Sequence, residues 1–557
     1  METNQQSAGM IVFSIINSTF LLVQHKEGHW GFPKGGIEDG ETELEAAWRE
    51  LQEETQIACN GILNPNKYRF VEKYEFLSTK GERIKKDTIY YVAFTCDTQI
   101  TLNHNELVDA KWMTLDEIES LSVFYSRNLL PPLYEIVHSE IVIKLDSSLK
   151  QVKFPISSTS IQGSKHAFSR IAPLFFLFDS LEVINTPGTI DTIAIRQLLT
   201  YSKQQKGSPI SIPRSITDLS RSIINCIPAL LALHPIITFH NPQGCQIGNR
   251  KIDLYLEVMR EFGARWVTHP DGMVEVNACT LHPTSIYLPF PSFTGTSTAL
   301  ILASIAKGQT RIQNASIEPE ILEMVEVLQN LGVDITFQSE RNLIVQNSGV
   351  TTPVRWKLSE DRNVLITRAL LALITGNEFV HTSQRSLYLA PFIDILERMN
   401  IPFSYTPHTL HIPPTSLQRL HPINIVCGHS PRACSDWHPL IAPLLCKING
   451  ESSIKDRVFE DRYRYIEQIQ HVNPRFSYRT DNDQLWIQGN EKQSKVATDA
   501  QSLDLRSAAA NIIALVGENS QTRVWGIQQL LRGYENILAD LESVGINYVT
   551  FELSDSE

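Results

Sequence analysis

Three carboxylates, Glu50, Glu53 and Glu54, stand at i, i+3 and i+4 in the run GFPKGGIEDGETELEAAWRELQEETQI, residues 31–57. On a helix this spacing puts all three on one face, where like charges repel unless something positive sits among them. A divalent cation answers that need. Mg²⁺ (or Mn²⁺) is a hard ion that takes few carboxylates, keeps several waters and bridges to phosphates, so the constellation predicts chemistry at a nucleoside diphosphate linkage. Just upstream, Gly35 and Gly36 let backbone groups approach metal and phosphate closely, and Lys34 supplies a cation for the substrate. The carboxylates alone also suit a solvated acidic helix with i, i+4 pairs; the Gly-Phe-Pro-Lys-Gly-Gly turn before them favours the metal site.

The elements that hold this helix account for about the first 140 of the 557 residues, so at least two more domain-sized pieces follow. Beyond residue 150 the chain repeats weakly, at intervals of about 70 residues after the first two units. Each unit opens with a short apolar helix, runs through a turn into a β-rich stretch, and closes with a second amphipathic helix and a strand. The openings are KHAFSRIAPLFFLF, SRSIINCIPALLAL, STALILASIAKGQT, RNVLITRALLALIT, SDWHPLIAPLLCKI and LRSAAANIIALVGE. Six such units suit two globules of three units each, helices inside and sheets outside. The net charge is −12 and no Lys/Arg cluster is interleaved with aromatics, which argues against a nucleic-acid duplex as partner. Small anionic substrates must be met by local Arg and Lys. Eight scattered cysteines without a C-x2-C pair point to reduced thiols in a cytoplasm, and the longest apolar runs are too short to span a bilayer.

The run 31–57 resembles the Nudix box, G-x5-E-x7-R-E-U-x-E-E-x-G-U, at Gly35, Glu41, Arg49, Glu50, Leu51, Glu53, Glu54 and Ile57. WGFPKGGIEDGE with AAWRELQEET is most similar to the diadenosine-polyphosphate and nucleotide-pyrophosphate branch of those hydrolases. The resemblance implies that Glu50 is a metal ligand or base, that Glu53 and Glu54 carry metal, that Gly35 and a later acidic residue, Glu106, complete the metal site, and that Arg49 orients a Glu by ion pairing. Gln56 replaces the family's Gly past the helix, where a left-handed cap costs a non-Gly residue about 1 kcal/mol.

The stretches NPQGCQIGNRKIDLYLEVMREFGARW and SIAKGQTRIQNASIEPEILEMVEVLQNLGVDI resemble UDP-N-acetylglucosamine enolpyruvyl transferase, the 1-carboxyvinyltransferase of peptidoglycan synthesis. That family joins phosphoenolpyruvate to a sugar hydroxyl by addition and elimination, which needs a proton donor, a base and several cations. By resemblance, Cys245 is the mobile-loop proton donor, and Asp436 lies near the attacking hydroxyl. Lys165, Arg221, Arg250 and Arg506 form the cationic clamp, while Asp253 and Arg462 contact the nucleotide sugar. Departures fall at His166, where the family has Asn, at Lys251, at Tyr255 and in the turn PSFTGTST. The shikimate-pathway branch shares the Gly-Ser-Lys opening and an Arg five residues on, here Arg170, but does not use the loop cysteine.

The expected architecture is α/β: a Nudix α/β/α sandwich over 1–142, able to fold alone, then an enolpyruvyl transferase fold over 150–557. Its two inside-out globules are expected near 165–357 and near 150–164 plus 358–557, with a cleft between them. A bifunctional enzyme with Mg²⁺, nucleotides, phosphoenolpyruvate and a nucleotide sugar as its partners is the first functional reading. A Nudix hydrolase with a non-catalytic, nucleotide-sugar-binding regulator is the second, shikimate-type transfer is another, and a scaffold without turnover is disfavoured by the three retained glutamates.

Overall fold

The computed structural model describes residues 3–553 apart from 27, 78–82, 97, 104–106, 122–128, 140, 150–155, 158–160, 243–251, 279, 348, 350, 461, 482–483, 491–498, 503, 517–520, 536–540 and 542–545. Glu106, Cys245, Arg250 and Lys251 lie outside these residues.

In the first domain the strand Thr3–Ser14 alternates two apolar faces, as the period of two in a strand requires. Ala8, Met10 and Val12 pack under the helix Glu43–Thr55 through Ala46, Ala47 and Leu51. Ile11 and Phe13 point the other way, into a core that also takes Leu133 and Ile136 of the helix Leu130–His138. The result is a sheet covered on both faces, built around Thr3–Ser14 paired in parallel with Arg83–Thr95. The helix starts at a capping box, Thr42 with Glu45, and stops at Gln56, whose φ of 52° is the left-handed cap expected there.

The rest of the chain bears out the repeat. Among the described residues five four-stranded sheets share one pattern, a parallel outer pair followed by two antiparallel pairings, and a sixth sheet is the parallel pair Leu181–Ile184 with Val354–Lys357. The helices Phe293–Ile305, Arg362–Thr375, His438–Cys446 and Leu505–Leu515 are buried almost all round. Helices buried on nearly every side belong inside, with the sheets around them. One apolar cluster gathers residues 167–358 and defines the first globule.

Two chain crossings join the globules. Ser164 N donates to Ser359 O at 2.7 Å and Asp361 N donates to Gln162 O at 3.0 Å, so the crossings run side by side. Gly163 has to be glycine, because a β-carbon there would lie 1.8 Å from Asn185 O. Asp361 then caps two helices, accepting from Lys165 N at 3.0 Å on one oxygen and from Asn363 N at 2.9 Å on the other. This pins the start of the helix Lys165–Ile171 at the junction. The strand Ile141–Leu149, which follows the first domain, lies in the last sheet between Gln521–Trp525 and Ile546–Leu553. Among the described residues no helix is long and apolar enough to cross a membrane.

Candidate active sites

The helix Glu43–Thr55 presents its acidic face to the strand Lys34–Gly36. Arg49 organises that face. Its Nε donates to Glu41 Oε1 at 2.9 Å, its Nη1 reaches Glu50 Oε1 at 2.7 Å and Glu53 Oε2 at 3.2 Å, and its Nη2 reaches Gly36 O at 2.8 Å. The repulsion expected among the glutamates is therefore offset by one guanidinium. Glu54 is buried and accepts from Lys34 N at 3.2 Å. Burial pushes the Lys34 ammonium below its ordinary value against the pull of Glu72, Glu54 and Glu50. Glu50 is mostly enclosed, whereas 58% of the Glu53 side chain is exposed. Gly35 is fitted to Glu50: a β-carbon there would lie 2.0 Å from Glu50 Oε1.

Carboxylate and carbonyl oxygens of this kind are the donors that a hard divalent ion takes, and the missing β-carbon at Gly35 is what lets the Glu50 carboxylate come up against the strand. Among the described residues no three acidic, His or Cys side chains converge as the ligands of one ion. Glu41, Glu50 and Glu53 turn instead toward Arg49.

The second constellation lies where the globules meet. Asp436, just before the helix His438–Cys446, accepts from Arg462 Nη2 at 2.6 Å on Oδ1 and from Arg506 Nη2 at 3.0 Å on Oδ2. His166 Nε2 comes to the same Oδ2 at 3.1 Å from the other globule. Burial would raise the Asp436 carboxyl, but Arg506, Arg462 and the His166 bond together hold it well below the ordinary range. Next to it, Lys165 Nζ lies 3.1 Å from Asp191 Oδ2, and Arg532 Nη2 lies 3.7 Å from Asp191 Oδ1. Ser220 and Ser222 also donate to Asp191, at 2.7 and 3.3 Å. Burial opposes ionisation of Asp191, yet Lys165, Arg532 and Ser220 bring its carboxyl down to about 2. Further along, Arg362 Nη2 reaches Glu320 Oε1 at 2.9 Å across the junction.

Of the sequence-predicted residues, the structure brings together Lys165, His166, Asp436, Arg462 and Arg506. Arg221 opens the 3-10 turn Arg221–Cys226, between the two serines that bind Asp191. Asp253 opens the helix Asp253–Glu261 on an exposed face, and among the described residues it makes no ion pair. Arg170 is buried with its guanidinium 3.9 Å from the centroid of Phe293, in the altered PSFTGTST turn, and burial lowers it to about 10. The sequence reading missed Asp191 and Arg532. Asp191 reads as an ordinary acidic residue in a helix's first turn, and the one trace of Arg532 is its place in the turn RGYE.

Two family models match, one for the NUDIX domain over residues 5–132 and one for EPSP synthase (3-phosphoshikimate 1-carboxyvinyltransferase) over residues 194–541. Among curated relatives, the UDP-N-acetylglucosamine 1-carboxyvinyltransferase of Sulfurovum sp. (strain NBC37-1) is 26% identical over 419 residues, covering 71% of this chain and 96% of its own. That of Streptococcus pneumoniae (strain Hungary19A-6) is 26% identical over 401 residues, covering 69% and 94%. Among solved structures, the enolpyruvyl transferase NikO from Streptomyces tendae aligns with a TM-score of 0.66 at 20% identity, over 75% of this chain and all of its own. EPSP synthase from Acinetobacter baumannii aligns with a TM-score of 0.54 at 15% identity, over 74% of this chain and all of its own. These structures carry the fold alone. The EPSP synthase match spans more than half of the 557 residues, and the chain belongs to that family, with a NUDIX domain at its N-terminal end.

Proposed function

We propose that the chain is a bifunctional enzyme: a metal-dependent hydrolase of a nucleoside diphosphate-linked substrate, and a transferase that moves the enolpyruvyl group of phosphoenolpyruvate to a nucleotide sugar such as UDP-N-acetylglucosamine. The observation that carries the transferase half is the gathering of Lys165, His166, Asp436, Arg462 and Arg506 from both globules at one junction. The names of the curated relatives support the acceptor. Lys165, Arg506 and Arg532 give the site cations for a phosphate and a carboxylate, and burial strengthens each such contact. Asp436 lies where it could meet a hydroxyl, and Cys245 is the proton donor in this reading.

In the hydrolase half, Glu50, Glu53 and Glu54 would hold Mg²⁺ or Mn²⁺, with Gly35 and Glu106 as further ligands. The ion supplies Lewis-acid polarisation of a phosphate and a nucleophilic water. Lys34 faces the substrate phosphates, and Arg49 keeps Glu50 and Glu53 in place before metal and substrate arrive.

The test is release of inorganic phosphate from phosphoenolpyruvate with UDP-N-acetylglucosamine, run beside a panel of dinucleoside polyphosphates and nucleoside triphosphates with Mg²⁺. Glu53→Gln and Glu54→Gln should each cut hydrolysis by about 10²-fold or more with folding intact; unchanged turnover in both would sink the metal assignment. A second reading, a regulator that binds the nucleotide sugar without turnover, is favoured by one fact: Asp436 already satisfies three donors. Saturable binding of the sugar without phosphate release would establish that reading. Phosphate release with 3-phosphoshikimate in place of the sugar would instead establish the shikimate-type acceptor.

A further inference from the structure

His166 touches Asp436, the side chain that the proposed reading sets beside the acceptor hydroxyl. Asp436 is held by two guanidiniums, at 2.6 and 3.0 Å, so protonating it would break two charge-assisted bonds. It is a poor base. An ionised carboxylate accepts hydrogen bonds and donates none, so His166 Nε2, 3.1 Å away, carries its hydrogen and gives it to Asp436. The neutral ring then keeps its lone pair on Nδ1. That atom has no hydrogen-bond partner among the described residues, and 26% of the side chain is exposed at the junction.

We propose that His166 is the base that deprotonates the acceptor hydroxyl, with Nδ1 taking the proton and Asp436 fixing the tautomer. The proposal rests on the transferase reading above. As the acceptor oxygen bonds to C2 of phosphoenolpyruvate, its proton passes to Nδ1 and the enol CH₂ gains a proton from the acid assigned to Cys245. In the elimination a methyl proton returns to that acid, the C–O bond to phosphate breaks, and the imidazolium proton leaves with inorganic phosphate. The groups facing the ring are Lys165 and Arg170 on its own helix, Asp436 from the other globule and Glu320 on the helix Pro319–Asn330. Burial, with Lys165 and Arg170, outweighs Asp436 and keeps the ring neutral below its ordinary value. The Phe293 ring, 6.2 Å away, gives the site an apolar wall.

The test uses the full chain with phosphoenolpyruvate and UDP-N-acetylglucosamine. His166→Asn keeps a hydrogen-bonding side chain but removes the titrating nitrogen. It should lower kcat by about 10²-fold or more, leave KM for phosphoenolpyruvate within about threefold, and abolish the acidic limb of the kcat/KM profile. A variant that keeps both kcat and the limb overturns the proposal. Nitrogen NMR of the histidine-labelled wild type reads the pair without turnover: the Nε2-protonated tautomer is expected, and an Nδ1-protonated ring overturns the pair even where transfer is intact. A wild-type chain that shows this tautomer but releases no phosphate overturns the transferase reading, and the base with it.

Discussion

Glu50 lies so close to Gly35 that the two positions constrain each other. A β-carbon on Gly35 would sit 2.0 Å from Glu50 Oε1 and 2.1 Å from Cδ, so Gly35→Ala must move the carboxylate and disturb its 2.7 Å contact with Arg49. A displacement of about 1 Å in a catalytic group costs about 10²-fold in rate. Gly35→Ala is therefore expected to lower nucleotide hydrolysis by that factor while transfer from phosphoenolpyruvate stays unchanged. Gly36→Ala is the control, because nothing lies within 4 Å of a β-carbon there and its φ is not positive. Equal rates for the two variants would remove Glu50 from the chemistry. Among the described cysteines the same logic of environment applies: burial pushes the thiols of Cys226, Cys427, Cys434 and Cys446 up, which leaves them poor nucleophiles. An epoxide phosphonate that mimics phosphoenolpyruvate should alkylate Cys245 and spare these four, as peptide mass spectrometry would show.

Elements differ in how much of them is written locally. The helix Glu43–Thr55 was legible in detail, down to the left-handed cap at Gln56, because its spacing and its stop are properties of adjacent residues. The buried helices Arg362–Thr375 and Leu505–Leu515 were legible as openings of repeats, since their apolar runs, VLITRALLALI and AAANIIAL, are too rich to lie on a surface. Asp191 and Arg532 were not, because they are far apart in the chain and meet where the two globules come together, beside the paired crossings at 162–164 and 359–361. That junction has a pH dependence with a definite sign. Asp191 falls from an ordinary 3.8 to about 2, a gain on the order of 2 kcal/mol that is complete above the ordinary value and lost as pH falls toward 2. His166 is lowered from 6.5, so below that pH the unfolded chain binds a proton the native ring declines, and stability falls as pH drops. Both groups act in one direction. Thermal melting should show Tm falling steadily as pH drops below about 6.5, and a Tm that rises on acidification would contradict the junction as described.

At the scale of the molecule, the first domain does not end where its family pattern ends. One continuous apolar cluster runs from Ile11, Phe20 and Phe94 of the NUDIX domain to Leu440, Leu505 and Phe551 of the transferase part. The strand Ile546–Leu553 makes the join: Phe551 is fully buried, packs edge-on to Phe94 with centroids 4.8 Å apart, and its carbonyl accepts from Asn64 N at 2.8 Å. Leu553 N donates to Tyr68 Oη at 3.0 Å, and Asn60 Nδ2 donates to Glu535 O at 3.1 Å. A fragment ending near 142 keeps the NUDIX sheet but uncovers Leu63 and Phe94, and it cuts the strand Ile141–Leu149 near its start. It should still hydrolyse nucleotides, at a Tm below that of the same domain in the intact chain. Phe551→Ala tests the join without cutting the chain. Replacing a buried Phe costs about 3–5 kcal/mol, and here the loss falls on the contact between the two halves. Calorimetry of the wild type should show the NUDIX domain and the second globule unfolding in one transition, because neither can open without exposing the other's core. In Phe551→Ala that transition should split in two, the hydrolase part melting first, and loss of hydrolysis on heating should follow the earlier step. A single transition at unchanged temperature in the variant would mean that the halves are joined elsewhere than through this strand.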